Sequence, residues 1–410
     1  MTTNKKKVAI FVDTRKESGG EYQHFLYTLD NIKKNNKDNI DFIVISISKK
    51  LNLNLEKEDI NYFFFSMNSF ERFICYLRNF GPFVRRVKKF FFFKNKFEKF
   101  LEKLNVDLVY FTSPSQYSLY LENTKFIISV PDVDHLIYLE FPEFVNNSEF
   151  FRRDEILRKS LPRAQAILTN AEIIKKRISK FYSVEENRIY IISLRPCRSV
   201  EEFKKFDKDY MLEIEKKFNL PKKYLFYPAM YLPHKNHKSL VDALKILKFD
   251  YNLDINIVCT GSDVGYLNEI KEYSIKNKVN NNIFFLNFVD NKALPYLYLN
   301  SIALIFPVLA GPTFTPPWEA FKMGVPVIFS NILGVKNVYK DAVYYIDPLD
   351  SYSIADSVKI LLENNSVREN LITRGREILE ELNDKNEYDQ LFFIIKNYRK
   401  IKQTWNFEKP

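Results

Sequence analysis

Few residues in this chain are equipped for polar chemistry, and they fall in clusters. Among 410 residues there are 4 His and 9 Gly. His24, His135, His234 and His237 each follow a short apolar run or open a helical pattern, as do Gly19, Gly20, Gly261, Gly311, Gly324 and Gly334. Scarce types gathered at such positions suggest a ligand, although glycine also serves ordinary turns. In "SGGEY" (Ser18–Tyr22), Gly19 and Gly20 let the backbone approach a ligand, and a helix start favours an anion; a tight turn explains them equally. In "PDVDHLIYLEFPEF" (Pro131–Phe144), Asp132 and His135 are candidates for polar contact or proton transfer, against a capping Asp and a packed His. The "DVD" could hold a metal, but so short a motif arises often by chance.

Two further stretches lie in the second half. "YPAMYLPHKNH" (Tyr227–His237) holds Lys235, a flexible point charge suited to phosphate, and Asn236, which a helix N-cap would explain. In "GPTFTPPWEAFKMG" (Gly311–Gly324), Thr315 reads as an N-cap and Pro316 as the first helical residue. Pro316 and Pro317 have no N–H, so donors to an anion must come from the loop before them, around Gly311, Thr313, Phe314 and Thr315, in which Pro312 has no N–H either. Glu319 stands one position beyond a capping box, so capping explains it poorly; attraction to the helix dipole remains.

Alternating elements must position these clusters. Apolar runs at "KKVAIFVD", "DFIVISIS", "DLVYFTS", "KFIISV", "QAILTN" and "RIYIIS" are separated by helical patterns, as in the helix carrying Tyr22, Phe25, Leu26, Leu29 and Ile32. The alternation lapses near residue 200 and resumes at "YLFYPA", "INIVCTG", "NIFFLNF", "ALIFPV", "PVIFSN" and "AVYYID". This is the signature of βα units on parallel sheets. We expect an α/β fold of two doubly wound domains, residues 1–200 and 201–386, with a final helix in 387–410 packing back on the first. Ligands are then expected in a cleft, outside the carboxyl ends of the strands.

Composition narrows the classes. The formal charge is +11, from 62 Lys and Arg against 51 Asp and Glu, but the basic residues are spread out and no nucleic-acid signature stands out. Cys75, Cys197 and Cys259 have no metal-ligand spacing and read as reduced and buried. The N-terminus has too short an apolar run for a signal peptide, and no stretch is apolar for long enough to span a bilayer.

With these residues in view, the chain resembles the family 4 glycosyltransferases of the GT-B type. The resemblance covers most of the chain and is most specific at "GPTFTPPWEAFKMGVPVIFSNILGVKNVYKDAVYYIDP"; a sub-group carrying "PHKNH" and "GPTxxPP" is closest. It implies two Rossmann-like domains, the second binding a nucleotide sugar (GDP-, UDP- or dTDP-linked) and the first a glycan or lipid-linked acceptor, with retaining transfer and no metal or other cofactor. By motif, Glu319 resembles the carboxylate that hydrogen-bonds ribose and Lys235 the Lys on the diphosphate. Gly20 resembles the glycine beside diphosphate and sugar, and His135 the His near the donor sugar. Gly311–Thr315 resembles the loop gripping sugar and phosphate, with Phe288 and Val289 bordering the base. Two positions depart from the family: Gly311 replaces a usual Glu, and Met230 a usual Arg for which His234 or His237 could substitute.

The resemblance sets surface polysaccharide, lipopolysaccharide or glycolipid assembly as the expected role, on the cytoplasmic side of the membrane. The stretch "FVRRVKKFFFFKNKFEKFLEKL" (Phe83–Leu104) reads either as a packed helix with a solvated basic face or as an interfacial helix in which Arg85, Arg86, Lys88, Lys89 and Phe91 meet anionic lipid. Three alternatives stay open: an inactive GT-B binding or scaffold protein, a sugar-nucleotide epimerase, and a phosphorylase. A nucleic-acid partner is not expected.

Overall fold

The computed structural model describes residues 7–13, 20–37, 40–57, 59–77, 95–205, 207–385 and 387–404. Among them the chain forms two compact units. The first comprises Met1–Ile137, Asn147–Ser193 and Glu387–Pro410; the second comprises Tyr138–Asn146 and Leu194–Asn386. The excursion of Tyr138–Asn146 into the second unit has no counterpart in the sequence pattern.

Each unit is built on a parallel sheet. In the first, β1 (Lys7–Val12), β2 (Asp41–Ser46), β3 (Tyr62–Phe64), β4 (Val106–Phe111), β5 (Lys125–Ser129), β6 (Ala166–Thr169) and β7 (Ile189–Ile191) lie in the order β3-β2-β1-β4-β5-β6-β7. In the second, β8 (Tyr224–Pro228), β9 (Ile257–Thr260), β10 (Ile283–Leu286), β11 (Ser301–Phe306), β12 (Val327–Ser330) and β13 (Tyr344–Ile346) lie in the order β10-β9-β8-β11-β12-β13. The α/β, doubly wound expectation therefore holds. Each strand order reverses once, between β1 and β4 and between β8 and β11. At such a reversal the loops leaving adjacent strands diverge to opposite faces of the sheet, opening a crevice at their carboxyl ends.

The sequence makes these strands because helices cover both faces of a parallel sheet, so its strands are apolar almost throughout. Every residue of β4 is buried, Asp107 included. Strand β3 escapes the sequence reading. It is three residues long at a sheet edge, and Phe63 and Phe64 lie 40% exposed, so it lacks the buried run that marks the others.

The terminal helix, Tyr388–Gln403, is fixed to the first unit. Tyr388, Leu391, Phe392, Ile394 and Ile395 join its core, and the hydroxyls of Tyr388 and Thr28 lie 3.1 Å apart. Tyr398 donates to the Asp107 carbonyl at 3.2 Å, and Arg399 lies 3.6 Å from the Asp107 carboxylate. Ile395 is fully buried. Ile395→Ala should therefore cost about 2–5 kcal/mol, read by urea unfolding of the whole chain. A loss under about 1 kcal/mol would mean that the helix does not pack as described.

Candidate functional site

The reversal in the second sheet brings two of the predicted clusters together. The loop after β8 is anchored first by Tyr231, whose hydroxyl donates to the carbonyls of Cys259 (3.2 Å) and Leu286 (2.8 Å), at the ends of β9 and β10. One helical turn, Pro233–Lys235, follows. Asn236 then takes a left-handed conformation (φ 59°). Its amide donates to the carbonyls of Pro307 (2.9 Å) and Pro348 (2.7 Å), and its Oδ1 accepts from Ser239 Oγ (2.7 Å). Asn236 does hold the cap position of helix His237–Lys245, but its side chain bonds no helix N–H. It ties the loops after β11 and β13 to the loop after β8.

The loop after β11 supplies the other wall. Gly311 has φ +92°, where only glycine sits without strain, and a Cβ there would lie 2.6 Å from the Phe314 ring. A Glu at this position would meet both obstacles. The Phe314 ring packs on Phe306 with centroids 5.0 Å apart, and the Lys235 ammonium sits 4.1 Å above its face. The Tyr339 hydroxyl accepts from the Phe314 N–H (2.9 Å) and donates to its carbonyl (3.1 Å). Of the expected loop donors, the Phe314 N–H is therefore spent inside the protein. Phe314, not Thr315, caps helix Thr315–Met323, because its extended backbone (φ −145°, ψ 152°) precedes the first helical residue. Gly324 closes that helix with φ +69°. Pro312 and Val289 are buried, whereas Phe288 is 41% exposed.

Glu319 is buried and faces inward. Its Oε2 accepts from the Tyr298 hydroxyl at 2.6 Å and its Oε1 from the Cys197 N–H at 3.2 Å. Burial pushes its pKa up despite these bonds, which favour the ionised form. Neither Tyr298 nor Cys197 is signalled by the sequence as a partner of Glu319.

The two histidines of this loop differ. His237 is fully buried between Tyr227 and Tyr231, with centroids 4.8 and 5.1 Å away. Both its ring nitrogens lack a partner among the described residues, and burial lowers its pKa to about 3. It is neutral and cannot stand in for the charge of an arginine. His234 is held from outside the sequence neighbourhood by Glu143, which accepts from both its backbone N–H (3.0 Å) and its ring Nδ1. Glu143 went unrecognised; its position between Phe141 and Phe144 in an otherwise apolar run is the only signal.

The first unit carries the remaining candidates. Beyond β5, Asp132 accepts from Arg153 Nη2 at 2.8 and 3.1 Å and from the Asp134 N–H at 3.1 Å. Burial opposes its charge, but Arg153 prevails and holds its pKa below the usual range. His135 is fully buried, with Nε2 3.2 Å from the Tyr182 hydroxyl, and burial lowers its pKa to about 4. Near neutral pH it is a neutral hydrogen-bonding group. Gly20 opens helix Gly20–Asn35, and among the described residues no atom lies within 4 Å of where a Cβ would stand. Gly19, Arg85, Arg86, Lys88, Lys89 and Phe91 lie outside the described residues. From the basic aromatic stretch, Lys96–Lys103 is a helix that buries Phe97 and Leu101. No helix among the described residues is long and apolar enough to cross a membrane, and no group of three potential metal ligands occurs among them.

Two outcomes check this geometry. Gly311→Ala should cost about 1–3 kcal/mol, from left-handed strain and contact with Phe314, read as a lowered unfolding midpoint; an unchanged midpoint would contradict it. For Glu319, the folded state holds the proton more tightly than the unfolded chain. Its contribution to stability therefore falls as pH rises from the unfolded value through the raised folded one. Glu319→Gln should remove that downward slope from the pH dependence of unfolding, and an unaltered profile would show that the carboxyl is not perturbed.

Residues 212–378 match the family described as "Glycosyl transferases group 1". The chain is 27% identical over 232 residues to the O-antigen chain mannosyltransferase RfbU of Salmonella typhimurium, covering 57% of this chain and 59% of that protein. It is 25% identical over 243 residues to O-antigen chain mannosyltransferase B of Escherichia coli, covering 57% and 61%. The likeness thus spans about three fifths of each of these relatives. Among solved structures, a glycosyltransferase from Rickettsia africae aligns at 18% identity with TM-score 0.67, covering 99% of this chain and 100% of the other. HepE of Anabaena, solved with UDP and glucose, aligns at 13% identity with TM-score 0.71, covering 96% and 100%. These two show the fold alone. The likeness to group 1 glycosyltransferases thus rests on sequence over residues 212–378, and both parallel sheets share the GT-B fold of solved glycosyltransferases.

Proposed function

We propose that the chain is a retaining glycosyltransferase that moves a sugar from a nucleotide-sugar donor to a glycan or lipid-linked acceptor in surface polysaccharide assembly. The observation that carries this reading is the meeting of Lys235 with the Phe314 loop where the second sheet reverses. A buried ammonium between two loops at the carboxyl ends of parallel strands suits a phosphate-bearing ligand. The names of the relatives favour a mannosyl group as the one transferred.

In this mechanism the bond from the anomeric carbon to the diphosphate breaks while the acceptor oxygen attacks from the same face. Lys235 and backbone N–H groups of the loop after β11 meet the negative charge that develops on the leaving diphosphate. The diphosphate itself accepts the acceptor's proton. Glu319 reaches the ribose by sharing: each carboxylate oxygen accepts a second hydrogen bond beside the one from Tyr298 or Cys197. In the first unit, Asp132, committed to Arg153, fixes the backbone that carries His135, a neutral hydrogen-bonding group. No metal is assigned a role. The enzyme works at the cytoplasmic face of the membrane, where lipid-linked acceptors lie.

A thermal-shift panel of nucleoside diphosphates and their sugars tests the reading. A true donor raises the unfolding midpoint by mass action, and GDP-mannose is the first candidate. Lys235→Ala should reduce transfer about 100-fold or more while leaving the fold intact. Absence of a shift with every nucleotide in the panel would refute the proposal.

A further inference from the structure

Glu319 is a buried carboxyl, and the protein meets it with donors drawn from distant segments. Tyr298, near the end of helix Leu294–Leu299, is fully buried, its ring edge-on to Phe226 of β8 with centroids 4.9 Å apart. Packing there needs only a phenyl ring. The hydroxyl is the added feature, and it donates to Glu319 Oε2 at 2.6 Å, with a longer contact to the Pro316 carbonyl at 3.4 Å. An O–H···O bond so short is of the charge-assisted kind, which favours an ionised acceptor. Burial, and then the carboxylate itself, push the Tyr298 phenol well up, so it keeps its proton and always donates. The Cys197 N–H takes the other oxygen, Oε1, at 3.2 Å. An ionised carboxylate has about four acceptor positions, and these two bonds use one on each oxygen.

The titratable groups that face Glu319 are Tyr298 and the Cys197 thiol, which stays neutral because burial and the nearby carboxylate raise its pKa. Lys322, one turn further along the same helix, pairs with Glu201 at 3.5 Å, and Arg376 of helix Asn365–Asp384 lies against Gly324 at the helix end. Burial alone would favour a protonated Glu319, and a protonated oxygen donates instead of accepting. We propose that Tyr298 is a positioning residue: its hydroxyl, with the Cys197 N–H, holds Glu319 as a two-oxygen acceptor for the 2′- and 3′-hydroxyls of the donor's ribose, so that ribonucleotide donors are preferred to 2′-deoxyribonucleotide ones. The inference rests on the glycosyltransferase reading and deepens it, by naming the sugar of the nucleotide and the residue that sets its recognition. It places GDP- and UDP-linked donors above dTDP-linked ones.

Two measurements test it on the full chain. The first needs no ligand. With glutamate labelled by 13C at its side-chain carboxyl, the resonance lost in Glu319→Gln should titrate at higher pH in Tyr298→Phe than in the parent, because one bond to the ionised form is gone. A midpoint that stays or falls overturns the inference. The second compares UDP and GDP with their 2′-deoxy and 2′,3′-dideoxy forms across pH. The parent should bind the ribose forms about tenfold more tightly than the 2′-deoxy forms, and lose that preference as pH falls through the Glu319 titration. In Tyr298→Phe the preference should fade at higher pH, while the 2′,3′-dideoxy forms, with no hydroxyl to offer, bind as in the parent. Tyr298→Phe should cost nothing further in the Glu319→Gln background. Equal loss for ribose and dideoxy forms at every pH, or full loss in the Glu319→Gln background, marks a merely packing role and overturns it. A parent that binds UDP or GDP without preferring ribose overturns the inference and leaves the glycosyltransferase reading standing; a parent that binds no nucleotide brings down both.

Discussion

The contact between the Lys235 ammonium and the Phe314 ring, 4.1 Å apart, is the constraint on which the candidate site depends. A largely desolvated cation over an aromatic face gains up to about 2 kcal/mol, enough to fix a flexible side chain without neutralising it. The Phe314 ring can serve only because Gly311 leaves it room and the Tyr339 hydroxyl pins both backbone groups of Phe314. The loss of the usual Glu at position 311 is therefore part of a packing arrangement. A Glu there would need a left-handed backbone and the space that the ring occupies.

Around that contact, polar residues at the carboxyl ends of the strands serve the protein as much as any ligand. Asn236 spends its amide on the loops after β11 and β13, and Tyr231 spends its hydroxyl on the ends of β9 and β10. Loops cannot be buried with unpaired carbonyls, so these side chains complete the hydrogen bonding that strands and helices leave unfinished. Glu319 shows the other side of this economy. Its burial raises its pKa, and Tyr298 and Cys197 supply the bonds that keep a buried carboxylate tolerable. His237 keeps two buried ring nitrogens between tyrosine rings, without a hydrogen-bond partner among the described residues.

Much of the architecture is legible because parallel strands buried on both faces must be apolar throughout. The runs at "YLFYPA" and "ALIFPV" announce β8 and β11 directly, and the spacing of Tyr22, Phe25, Leu26, Leu29 and Ile32 announces the buried face of the first helix. Edge strand β3 is not legible, since two exposed phenylalanines in a phenylalanine-rich chain carry no pattern. At the site, residue types and their place after strands point to Lys235, Glu319 and Gly311. Partners distant in sequence are invisible in that reading. Glu143 meets His234 across 91 positions, and Cys197 meets Glu319 across 122. Such pairs are set by the fold, and no local periodicity records them. The helix cap shifted by one residue for the same reason, because the Tyr339 hydroxyl holds Phe314 extended.

A structure of the chain with a bound nucleoside diphosphate tests the central claim most directly. The account predicts the diphosphate at the reversal between β8 and β11, within hydrogen-bond distance of Lys235 Nζ and of backbone N–H groups in the loop after β11. A diphosphate seated after any other pair of strands, or with Lys235 still turned onto Phe314 and away from it, would contradict the account.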